Sequence, residues 1–120
     1  MRHTLTLLTL FAALFMGGIS AAALQAQEAP RRIEITAKRF VFAPNEITVK
    51  KGQPVTLVLK SADVGHGIRF RDLSVDVKVK AGGTAEVTFT PDREGDFVGH
   101  CSVFCGSGHG SMQIILHVVA

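Results

Sequence analysis

The sequence predicts an all-β fold, a sandwich or barrel of short strands, and three observations predict it. Apolar and polar residues alternate with period 2 along most of the chain. Clusters of turn-forming residues separate the alternating runs at short intervals. Outside the N-terminal apolar stretch, no segment carries a 3.6-residue period. Short strands at such spacing pack as antiparallel sheets, face to face or closed into a barrel.

The runs follow one another in order. Ile33 and Ile35 alternate with Glu34 and Thr36, and Ile47 and Val49 flank Thr48. Val55, Leu57 and Leu59 alternate with Thr56 and Val58. Val75, Val77 and Val79 alternate with Asp76, Lys78 and Lys80, then Ala85, Val87 and Phe89 with Glu86 and Thr88. The last run, Met112 to Val119, is β-branched, with Ile114, Leu116 and Val118 on one face. Between these lie Ala43-Pro44-Asn45, Lys51-Gly52-Gln53-Pro54, Ala81-Gly82-Gly83 and Pro91-Asp92-Arg93-Glu94-Gly95, all turn signals.

Ahead of the first strand, Arg2 and His3 form a short cationic start, followed by an apolar run from Leu5 to Leu24 and the small residues Ala21 to Ala23. This is the n-region, h-region and cleavage pattern of an export signal, residues 1–26, cut after Ala23 or Ala26. An uncleaved anchor is the alternative, because the run approaches spanning length, and it would be the only tie to a membrane. Either way the body is exported, to the periplasm or the outer membrane face. Residues 27–32, with Pro30, read as a polar linker, and residues 33–120 as one domain. At 47% hydrophobic and 19% charged residues the chain is not disordered. A net charge of +3 with scattered basic residues argues against nucleic acid as a partner. Nothing resembles a Ser-His-Asp set, a phosphate-binding loop or a paired carboxylate site.

Two loops break the strand pattern. The first is Asp63-Val64-Gly65-His66-Gly67, and the second runs from Cys101 through Cys105 and His109 to Met112. Gly106, Gly108 and Gly110 make a helix costly in the second, at about 1 kcal/mol each, so a loop bending around something small is expected. Thiolate, thioether and imidazole together select copper. A mononuclear blue-copper site would use His66, His109, Met112 and one Cys, leaving one thiol over. If both thiolates bridge, the loops hold two copper ions. An even cysteine count in an exported chain also allows a Cys101–Cys105 disulfide, which leaves His66, His109 and Met112 unexplained. A Cys2His2 zinc site is stereochemically open but has no use for Met112.

The residues Asp63-Val64-Gly65-His66 and Cys101-Ser102-Val103-Phe104-Cys105-Gly106-Ser107-Gly108-His109-Gly110-Ser111-Met112 resemble the dinuclear copper A domain of cytochrome c oxidase subunit II, which has a relative in nitrous-oxide reductase. The resemblance spans about Ile33 to Val119 and implies a cupredoxin Greek-key β-sandwich. It implies that Cys101 and Cys105 bridge both coppers and that His66 and His109 cap one each. Met112 would be a weak ligand to one copper, and the Val103 carbonyl to the other. It implies single-electron transfer from a redox protein donor, such as a c-type cytochrome, to an oxidase or reductase acceptor. The chain departs from the family where oxidases usually carry Glu for magnesium, at Val103, and it has no Trp or Tyr for an aromatic docking patch. A periplasmic copper carrier is the reading from another class, but Met1 and Met16 lie in the signal, which leaves Met112 as the single methionine of the body.

Neighbouring residues take plainer roles. Asp63 is expected to clamp the His66 loop by hydrogen bonding, and Phe104 to pack over the site and exclude water. His100 should point away from the ligands, and His117 should lie on the polar face of the last strand. Phe40 and Phe42 read as core or edge packing, and Arg69 and Arg71, flanking the first loop, either as part of a docking surface or as a solvated strand face.

Overall fold

A computed structural model describes residues 29–120; residues 1–26, read as an export signal, and the first two residues read as linker lie outside the described residues. Nine strands follow one another: β1 (Arg31–Lys38), β2 (Val41–Ala43), β3 (Glu46–Lys50), β4 (Val55–Ser61), β5 (His66–Phe70), β6 (Val75–Val79), β7 (Thr84–Phe89), β8 (Gly95–His100) and β9 (Gln113–Val119). They form a four-stranded sheet, β2-β1-β4-β7, and a five-stranded sheet, β3-β9-β8-β5-β6. The alternation in the sequence sets the faces. Ile35 and Ala37 of β1, Val75, Val77 and Val79 of β6, and Ile114, Leu116 and Val118 of β9 are buried, while their neighbours point outward. Fully burying each such aliphatic side chain contributes about 1.5–3 kcal/mol. Together with Leu57, Leu59, Ile68 and Phe70 they make one core between the sheets.

The strands read from the sequence are present, and β1 starts at Arg31, inside the segment read as linker. Three more were not read. β2 has three residues, too short for a period. β5 opens on His66-Gly67, residues with a loop's composition, and buries both. β8 places Phe97 inward, but Gly99 interrupts its apolar face. The sheets are also mixed rather than antiparallel: β1 pairs parallel with β4, and β3 with β9. The cause is the turn Ala43-Pro44-Asn45, which carries the chain from the first sheet into the second. The Asn45 carbonyl then accepts the Ile115 N–H at 2.8 Å, seating β3 beside β9.

These registers bring three connections to one end of the sandwich. Ala37 lies opposite Ser61 at the ends of β1 and β4, and the Ala62 N–H donates to the Ala37 carbonyl. His100 lies opposite Gln113 where β8 and β9 open into their connection. The segments Arg39–Phe40, Ala62–Gly65 and Cys101–Met112 therefore meet.

Candidate metal centre

His66 begins β5 with its side chain fully buried. Its Nε2 lies 2.7 Å from Asp63 Oδ1, which leaves Nδ1 to face Cys101 Sγ at 3.9 Å. The carboxylate fixes the ring's orientation, as outer partners of metal-binding imidazoles do. Asp63 is itself held. The Arg39 backbone N–H, 2.8 Å from Oδ2, does most to bring its carboxyl down to about 2, with further help from the contact to His66.

The β8–β9 connection supplies the rest. Its base is closed by the Cys101 N–H donating to the Met112 carbonyl at 3.1 Å. Cys101 and Cys105 are both buried, with Sγ atoms 3.6 Å apart, well beyond the ~2.05 Å of a disulfide. His109 Nδ1 lies 3.7 Å from Cys105 Sγ, and Met112 Sδ lies 3.8 Å from the same sulfur. On the other side the Val103 carbonyl oxygen accepts from the Cys101 thiol at 3.1 Å. Each thiol thus has one imidazole nitrogen and one further donor of its own. The donor atoms of His66, Cys101 and Cys105 all lie within 4.8 Å of one another, which is ion-binding proximity. All six sequence-proposed residues, His66, Cys101, Val103, Cys105, His109 and Met112, meet at this point.

The glycines explain how the loop closes so tightly. Gly106 has φ +134°, a conformation that L side chains rarely adopt, and a Cβ there would sit 2.9 Å from the Phe40 ring. A Cβ at Gly108 would press still deeper into the same ring. A short 3-10 turn, His109–Ser111, then aims His109 back toward Cys105. Ser102 anchors the loop's start, its hydroxyl donating to Asp76 Oδ1 at 3.1 Å and its N–H to the Gly67 carbonyl. Lys78 and Arg69 hold the Asp76 carboxyl down to about 2.

The donor set fits a soft metal: two thiols, a thioether and two imidazoles, with one carbonyl and no carboxylate facing inward. Burial pushes the Cys105 thiol up to about 11, so a metal must displace its proton. Water is excluded by burial of His66, Cys101, Cys105 and Met112 themselves. Phe104 does not lie over the thiols as expected. It is 78% exposed, its ring 5.6 Å from that of the half-buried His109, because the loop turns its side chain outward between two inward thiols. His100 is exposed and bonds to none of the ligands, and with Arg69 and Arg71 it lines a groove of about 370 Å³ beside Cys101. His117 pairs with Asp96 and Glu46 on the outer face. Sequence reasoning missed Arg39, and it gave Phe40 only a packing role. Their one signal was the two-residue break in alternation between Lys38 and Val41.

Comparison with known proteins places this geometry. The family model for the cupredoxin-like domain matches residues 6–114. Cytochrome c oxidase subunit 2 of Thermus thermophilus is 31% identical over 80 residues, covering 67% of this chain and 59% of that protein. Nitrous-oxide reductase of Cupriavidus necator is 35% identical over 92 residues, 73% of this chain and 14% of that protein. The chain therefore spans less than two thirds of the curated relatives it matches. Among solved structures, the periplasmic domain of subunit II of cytochrome oxidase of Bradyrhizobium japonicum superposes with a TM-score of 0.69 at 24% identity, covering 78% of this chain and 86% of that one.

Proposed function

The chain belongs to the cupredoxin-like domain family, and from that premise we propose that it holds a dinuclear copper A centre and passes single electrons between a redox protein and an oxidase or reductase. One observation carries the reading: two buried thiols 3.6 Å apart, each with its own imidazole and its own third donor. A mononuclear site would leave a second buried thiol with nothing to do. Similarity to the oxidase subunit and to the reductase supports copper-based electron transfer as the activity.

Cys101, Cys105, His66, His109, Met112 and the Val103 carbonyl would hold the ions. When bound, copper would supply reversible one-electron chemistry. The protein's part is to hold the donors where they are. Asp63 orients His66, the Cys101–Met112 backbone bond closes the loop, and the apolar surround keeps water from the sulfurs. Electrons enter or leave by His109, which is half-exposed beside Phe104, whereas His66 is sealed. Read as an export signal, residues 1–26 support a location outside the cytoplasm, and a c-type cytochrome is the donor we favour.

Copper loading tests the proposal. We expect two copper ions per chain, a purple colour, and an electron paramagnetic resonance signal with seven hyperfine lines from one electron shared by two equivalent nuclei. One copper with a four-line signal would overturn the dinuclear centre in favour of a mononuclear cupredoxin. Rapid transfer of copper to an apo acceptor protein, with no reversible redox wave, would favour a copper carrier.

A further inference from the structure

Arg39 lies between β1 and β2, outside both ligand loops, yet it touches each of them. Its backbone N–H donates to Asp63 Oδ2 at 2.8 Å, and Asp63 in turn holds His66. Its side-chain Nε donates to the Cys105 carbonyl at 3.0 Å. Among the described residues no other group donates to that carbonyl. The next residue, Phe40, lays its ring over Gly106 and Gly108. The glycine-rich loop that carries Cys105 and His109 has wide backbone freedom of its own. A fixed contact from a neighbouring strand end removes that freedom before any metal arrives.

We propose that Arg39 is a positioning residue that couples the two ligand loops, its main chain fixing the His66 side through Asp63 and its guanidinium fixing the Cys105 side. Calling these loops ligand loops rests on the function proposed above. The two contacts use different groups, so side-chain substitution removes one and leaves the other. A guanidinium is always charged. Beside a centre whose oxidation adds positive charge, it disfavours the oxidised form and raises the reduction potential.

The test is Arg39→Met, which keeps the aliphatic stem and the backbone N–H but loses Nε and the charge. In metal-free protein, amide hydrogen exchange over residues 105–110 should quicken by about two- to tenfold, the range that one hydrogen bond confers. Exchange in the strands and over residues 62–66 should stay unchanged. In copper-loaded protein the metal should pass to a chelator several-fold faster, and the reduction potential should fall. Arg39→Lys restores charge without a planar Nε, so it should recover the potential but not the exchange protection. Unchanged protection over 105–110 in Arg39→Met would overturn the proposal, as would full recovery of protection in Arg39→Lys. The metal-free measurement does not depend on copper stoichiometry, so failure here and failure of the dinuclear reading are separable.

Discussion

Single side chains at this site divide into the proposed metal donors and those that hold the donors in place. Cys101→Ser or Cys105→Ser removes one of the two sulfurs of the proposed dinuclear centre, and each should abolish the seven-line signal and reduce bound copper, as metal analysis would show. Met112→Leu conserves volume in a fully buried position, so it should cost less than about 1.5 kcal/mol of stability in denaturant titration. It should retain copper and shift the potential, because a weak sulfur donor that tunes it is gone. An unchanged potential would remove Met112 from the ligand set. The donors themselves were readable, since soft residue types crowded into two strand-breaking loops have few other uses. Arg39 was not, because a cation at a strand end looks like any solvated one. Only the meeting of β1's end with the β8–β9 connection gives it two partners.

Elements impose their own constraint, above all where the β1–β2 connection lies against the ligand loop. Gly108→Ala drives a methyl into the Phe40 ring and should cost about 1–3 kcal/mol in urea unfolding of the metal-free protein. Combined with Phe40→Ala, the loss should be smaller than the sum of the two single losses, because the clash needs both groups. The strands with clean alternation, such as β6 and β9, could be read directly. β5 and β8 could not: His66 and Gly99 occupy inward positions where period-2 reading looks for Val or Ile, and Gly67 is buried on the opposite face beneath Ser102 and Val103. Those exceptions have a reason, for the inward position at His66 points at metal-binding sulfur rather than hydrocarbon.

At the scale of the whole molecule, the outer face of the larger sheet carries a device tied to pH. His117 of β9 lies 2.6 Å from Asp96 of β8 and 3.3 Å from Glu46 of β3, linking three strands. Asp96 first, then Glu46, raises the His117 pKa above its ordinary value. The folded protein therefore binds the proton more tightly than the unfolded chain. This contribution to stability is complete below about pH 6.5 and is lost as pH rises through the folded value. Metal-free protein should thus melt higher near about pH 5.5 than near about pH 8.5, and His117→Gln should flatten that difference. Copper held more tightly by the folded state than by the unfolded chain should raise the melting temperature, with the gain removed by a chelator.

The parallel pairing of β3 with β9 bears on when the site comes into being. Glu46 lies opposite Ile115, so a strand near the start of the domain waits for the last strand of the chain to complete its sheet. Joining partners so far apart in sequence is slow, since loop closure precedes any reward from contact. His66 and the thiols converge only once that late strand docks, because the ligand connection is the one that leads into β9. A chain that has not yet made this pairing therefore has its donors still apart.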